Sequence, residues 1–226
     1  MKKILLLVLS LCLVAALLIF CGAVERDKNI FGSTDEKENT IYIGVIEPLT
    51  GDDAPGAMRE VLGFRYANAV CPTVDINGVT YNVKLLEADS MSSENGSENA
   101  AKSLIYSNVA AVLGAYDSEN ASYCLPLFEK EKIPVIGVSC SSPKIDADNF
   151  FRMCFTDSFQ CGAAANLAYS MDCRKAAVLT QTADVYSKAA GKIFADEFSR
   201  LGGEVVNLSF QSGQENFKAL AEEIKD

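Results

Sequence analysis

Short apolar, β-branched runs alternate along this chain with segments whose apolar residues recur every three or four positions, and that alternation restricts the fold more than any other feature. Residues 41–46 have no helical period and run into Pro48 and Thr50-Gly51-Asp52-Asp53, the mark of a buried strand leaving into a loop. From Met58 onward Val61, Leu62, Phe64, Ala67 and Val70 keep helical spacing until Pro72 stops it. Asp75-Ile76-Asn77-Gly78 turns the chain into a second strand over 81–87. The cycle then repeats: a helix through Ala100, Leu104 and Ile105, a strand at 110–113 ended by Gly114, a helix over 121–132, and a strand at 134–138. Strands separated by helices call for right-handed crossovers and hence a parallel sheet.

A second round starts after Phe150-Phe151-Arg152-Met153. It predicts a helix over 162–171, a strand at 176–180, a helix over 186–201 closed by Gly202-Gly203, a strand at 204–210 and a helix from 216 to 225. Two strands cannot bury both faces of a sheet, so this second unit is expected to be incomplete. The domain reading is 41–156 for one lobe and 157–226 for part of another.

The first forty residues are of a different kind. Lys2 and Lys3 precede an apolar run from Ile4 to Phe20 broken only by Ser10, which is an export signal over 1–21. It ends at Cys21-Gly22, where a lipoprotein signal places its acylated cysteine, and two outcomes are compatible with it: lipidation of Cys21, or retention as an uncleaved anchor. Both tether the chain to a membrane from outside the cytoplasm. Residues 22–40 are polar, acidic and poor in anything that packs, as in a flexible tether.

Composition removes whole classes of function. A formal charge of −10 argues against a nucleic-acid partner, whose phosphates need a basic face. Histidine is absent, which takes away the usual general base and the commonest metal ligand together. The spacings of a dinucleotide or phosphate loop are missing around Gly44 and Gly191, so neither an enzyme nor a cofactor is expected. Of eight cysteines, Cys12 and Cys21 fall in the signal. The other six read either as buried thiols or as one or two disulfides, with Cys140–Cys154 the first pair to test.

In open parallel sheets a ligand sits beyond the carboxyl ends of the strands. Small polar residues gather there: Thr50-Gly51, Tyr116-Asp117-Ser118, Ser139-Cys140-Ser141-Ser142, and Asp184-Val185-Tyr186. Hydroxyls and free N–H groups at helix starts suit a carboxylate. The same residues also serve as ordinary caps and turns, and taken singly each is better explained that way.

The order of elements, together with Ile43-Gly44-Val45-Ile46-Glu47-Pro48-Leu49-Thr50-Gly51, Val112-Leu113-Gly114 followed by Ser118, Ile133-Pro134-Val135-Ile136 leading to Ser139 and Ser141, Phe151-Arg152, and Asp184-Val185-Tyr186-Ser187, resembles the branched-chain amino-acid binding proteins of ABC importers. The resemblance runs from Ile41 to the last residue and implies the type I periplasmic binding fold, an α/β architecture of two Rossmann-like parallel-sheet lobes. It implies an extracytoplasmic protein that captures a branched-chain or similar aliphatic amino acid by hinge closure and delivers it to a membrane permease. The same fold builds sensor domains of membrane receptors, the alternative role. By this resemblance Ser118, Cys140 and Ser141 belong to the ligand site, Ser139 offers backbone groups, and Tyr186 reaches across from the second lobe. The sequence departs from the family at 54–57, which hold no aromatic residue where the family often has one.

Overall fold

The computed structural model describes residues 39–224. The expected export signal, Cys21 and nearly all of the expected tether lie outside the described residues. Within them the order is β1 (Thr40–Glu47), α1 (Ala54–Val70), β2 (Thr73–Ile76), β3 (Val79–Asp89), α2 (Glu94–Tyr106), β4 (Ala111–Gly114), α3 (Ser118–Lys130), β5 (Val135–Gly137) and β6 (Phe150–Arg152). Then follow α4 (Asp157–Ser170), β7 (Lys175–Gln181), α5 (Val185–Arg200), β8 (Glu204–Phe210) and α6 (Lys218–Glu223). No helix among the described residues is long and apolar enough to cross a membrane.

The larger sheet has the order β2-β3-β1-β4-β5-β6, and β7-β8 form a second sheet. β1 with β4, β4 with β5, β5 with β6, and β7 with β8 all pair in parallel, as the strand–helix alternation requires. Two elements escaped the sequence reading. Asn77 and Gly78, both at positive φ, make a two-residue hairpin, so β2 pairs antiparallel with β3 where only a turn was expected. Phe150–Arg152 is itself a strand on β5, too short to show a period.

The core lies between the larger sheet and α2 and α3. Ile46, Val112 and Val135 from the central strands meet Ala100, Ala101 and Leu104 of α2 and Cys124, Leu125 and Phe128 of α3. Strand alternation sends Val45 and Glu47 to the opposite face, where Ala57 and Val61 of α1 are also buried. Burying Phe128 alone stabilises the fold by roughly 2–3 kcal/mol. Four helices, α2 to α5, start where short polar side chains cap them: Ser93 accepts from the Gly96 N–H, Asp117 from Asn120, Thr156 from Phe159 and Asp184 from Ser187.

The disulfide expectation fails. Cys71, Cys124, Cys140, Cys154, Cys161 and Cys173 are all free thiols, and no Cys140–Cys154 bridge exists. The Cys140 thiol instead donates to the Ala115 carbonyl at 2.9 Å, so it is used up inside the fold.

Candidate functional site

The loops that follow β1, β4 and β5 open on one edge of the larger sheet, because parallel strands all end on the same side. The loop after β1 is pinned by Asp89 at the end of β3, whose carboxylate accepts from the N–H groups of Leu49 (2.9 Å), Thr50 (3.1 Å) and Met91 (2.8 Å) and from the Thr50 hydroxyl (2.6 Å). β4 leaves the sheet at Gly114, where φ is +115° and an added Cβ would stand 2.1 Å from the Ile46 carbonyl oxygen. Only glycine fits there. Asp117 then caps α3, and Asn120 of α3 accepts from Ser97 of α2 at 2.9 Å, tying the two helices beneath the loop.

The β5 loop is held from below by Arg152, at the end of β6. Its guanidinium donates to the carbonyls of Cys140, Ser142 (3.1 Å) and Ile145 (2.8 Å), which fixes the turn of residues 139–145. The Ser141 carbonyl accepts from the Asp157 N–H at 2.9 Å, joining this loop to the start of α4.

One hydrogen bond joins the loop of the expected Ser118 to the turn that carries Ser139, Cys140 and Ser141. The Ser142 N–H donates to Ser118 Oγ at 3.1 Å, leaving the Ser118 hydroxyl proton free to point elsewhere. Ser141 lies between these contacts and is half-buried. Ser139 is exposed, and its hydroxyl donates to Glu60 of α1. Cys140 differs from the others: its side chain is fully buried and its carbonyl is taken by Arg152, so the thiol has no path to a solute. Burial also pushes that thiol well above the usual cysteine range, which leaves it no nucleophilic character. Tyr186 stands apart in the first turn of α5, half-exposed, with Asp157 and Cys161 as electrostatic neighbours; burial is the main cause of its raised phenol pKa. Residues 54–57 carry no aromatic side chain, and Tyr116 from the β4 loop packs against Gly56, where an added Cβ would stand 2.2 Å from its hydroxyl.

Sequence reasoning overlooked the acids of this edge. Glu47, the last residue of β1, is 0% exposed, and burial raises its carboxyl from 4.5 to about 9, with the acids Glu60 and Asp117 adding to the effect. Apart from the nearby Tyr116 N–H, which opposes the rise only weakly, neither oxygen of Glu47 nor Oε2 of Glu60 has a donor when both are carboxylates. The pair is satisfied once a proton sits between them, on Glu47 and shared with Glu60. Burial raises Glu60 and Asp53 as well, less strongly. The available signal was a glutamate closing a parallel strand whose two faces are both covered.

Elsewhere, an open hollow of about 430 Å³ is lined by Ser158, Gly162, Ile193, Asp196, Glu197 and Arg200. It shares no residue with the serine loops, and Arg200 already pairs with Glu197 at 2.7 Å. Among the described residues no three His, Cys, Asp or Glu side chains converge on a metal position.

Residues 40–226 match the sequence profile of the periplasmic binding protein family. The chain belongs to that family. Its members are solute-binding proteins and not enzymes. No curated protein matches the sequence significantly. Among solved structures, a leucine-binding protein of Thermotoga maritima (LivK) shares 28% identity with a TM-score of 0.69 over 82% of this chain and 54% of its own. The branched-chain amino-acid binding protein LivJ of Streptococcus pneumoniae, in complex with isoleucine, shares 24% identity and a TM-score of 0.69, over 82% of this chain and 54% of its own. A solute-binding protein of an ABC transporter from Rhodopseudomonas palustris, in complex with 3,4-dihydroxybenzoic acid, shares 20% identity and a TM-score of 0.71, over 83% and 52%. The chain thus spans about half the length of the structures it matches.

Proposed function

We propose that this chain is the extracytoplasmic solute-binding component of an ABC importer, tethered to the membrane at its N-terminus through Cys21 or an uncleaved anchor. It captures a branched-chain or similar aliphatic amino acid and hands it to a membrane permease. Residues 41–156 act as the lobe that first receives the solute, and residues from 157 onward belong to the lobe that closes over it. Ser118, Ser141 and the backbone of the 139–142 turn bind the solute carboxylate, and Tyr186 approaches from the second lobe.

The observation that carries this reading is the hydrogen bond from the Ser142 N–H to Ser118 Oγ, which joins the β4 and β5 loops at the carboxyl edge of the sheet. The 28% identity to the leucine-binding LivK supports the aliphatic class. The test is thermal unfolding of the full chain with L-leucine, L-isoleucine and L-valine. A ligand at a hundredfold excess over its dissociation constant adds about 2.7 kcal/mol of apparent stability. Ser141→Ala is expected to abolish most of the shift. No shift with any of the three removes the aliphatic amino-acid reading.

A further inference from the structure

The relatives divide by ligand: LivJ holds isoleucine, which carries an ammonium, whereas the Rhodopseudomonas palustris protein holds a benzoic acid, which does not. Both ligands present a carboxylate, so the serine loops alone do not separate them. A group beside those loops that accepts a cation and repels an anion would.

The end of β1 supplies one. Glu47 is 0% exposed, with no partner in good hydrogen-bond geometry beyond Glu60 and a weak approach of the Tyr116 N–H; Glu60 has its Oε2 buried without another donor, and its Oε1 accepts from the Ser139 hydroxyl. Space for this carboxyl is built into the neighbouring strand, since a Cβ on Gly114 would stand 2.8 Å from Glu47 Oε1. The charged groups acting on Glu47 are acidic on every side: Glu60 from α1 and Asp117 from the loop before α3. Arg152 is engaged with the carbonyls of the 139–145 turn. A pair of acids in this setting is held together by a positive group, a proton when the site is empty or a cation beside it when the site is filled. Because Glu60 is half-buried and bonded to the exposed Ser139, a solute on the serine loops meets Glu60 first, with Glu47 behind it.

We propose that Glu60, backed by the buried Glu47, is a cation-accepting subsite that selects solutes bearing a protonated amine over plain carboxylic acids. The inference rests on the reading of the serine loops as the carboxylate site and adds the second half of zwitterion recognition from the same sheet edge. Glu47, carrying the shared proton, holds Glu60 in place and leaves the single negative charge of the pair on Glu60, which makes the contact.

Isothermal titration of the full chain with L-leucine, with 4-methylpentanoate (the same skeleton without the amine) and with 4-hydroxybenzoate tests it. The native chain is expected to prefer leucine to 4-methylpentanoate by roughly 10- to 100-fold, the range of a charge-assisted hydrogen bond. Glu60→Gln should remove most of that preference, and Glu60→Asp, which keeps the charge, should retain it. Circular dichroism melts establish that both variants are folded. If the native chain binds leucine and 4-methylpentanoate alike, or Glu60→Gln keeps the preference, or Glu60→Asp loses it as fully as Glu60→Gln does, the subsite is overturned while the carboxylate site stands. If none of the three probes binds, both readings fall together.

Discussion

Replacing Glu47 by glutamine exchanges a carboxyl oxygen for an amide nitrogen, keeps the volume, and removes the only proton the side chain can lose. In the native protein burial holds this carboxyl protonated up to about 9, whereas in the unfolded chain it ionises near 4.5. An acid whose folded pKa lies above its unfolded value stabilises the fold fully at pH below the unfolded value and less as the pH rises toward the folded one. Between pH 5 and 8 the unfolded carboxyl is largely ionised and the folded one is not, so about three pH units at roughly 1.36 kcal/mol each remove ~4 kcal/mol of stability. That is a large part of the roughly 5–15 kcal/mol typical of a domain.

The window matters because other groups act outside it. Glu87, held below the usual carboxylate range by its hydrogen bonds from Arg65, and Glu197, held at about 2 by Arg200 and Asn166, are ionised in both states above pH 5. Their stabilisation is lost only as the pH falls. Cys124, pushed up to about 12 by burial, adds a loss of the same sign as Glu47, but above pH 8. Urea unfolding at pH 5, 6, 7 and 8 should therefore show the native chain weakening steadily and Glu47→Gln nearly flat, with the residual slope from Glu60 and Asp53. If the variant weakens as steeply as the native chain, or is the less stable of the two at pH 8, Glu47 is not a buried neutral acid.

Three further outcomes follow from the site's construction. Arg152→Met frees the carbonyls of Cys140, Ser142 and Ile145 and should cost about 3 kcal/mol, with amide-exchange protection falling across 139–145; unchanged protection there would count against Arg152 as the strut of the turn. Gly114→Ala forces a Cβ to 2.1 Å from a backbone oxygen at φ +115° and should cost more than about 3 kcal/mol, while Gly63→Ala, with nothing within 4 Å of its Cβ, should stabilise α1 by roughly 1 kcal/mol; urea midpoints compare the two. A thiol reagent should modify the exposed Cys71 and Cys173 first and reach Cys124 and Cys140 only on unfolding, so rapid labelling of Cys140 in the folded chain contradicts its burial.

The alternation of strand and helix determined the parallel sheets, because a β-branched run between two amphipathic segments has few ways to bury itself other than as an inner strand of an α/β layer. It also determined where loops would gather, since the carboxyl ends of parallel strands share one edge. Residues 204–210 form β8 as expected, and the serines of the β5 loop fall at the expected edge. Boundaries were less legible: α3 begins at Ser118 and not at Ala121, because Asp117 caps it with a side-chain bond that apolar periodicity does not register.

What the tertiary structure alone decided concerns side chains whose roles depend on neighbours distant in sequence. Ser139 and Glu60 are 79 residues apart, yet one hydroxyl joins them. Cys140 sits among serines in the sequence but turns inward, because the Ala115 carbonyl from a different loop is its partner. Glu47 reads locally as the polar end of a strand; only α1 laid over it removes its water, and a carboxyl's charge is set by the solvent it loses and the acids it meets, neither of which is written in the residues beside it.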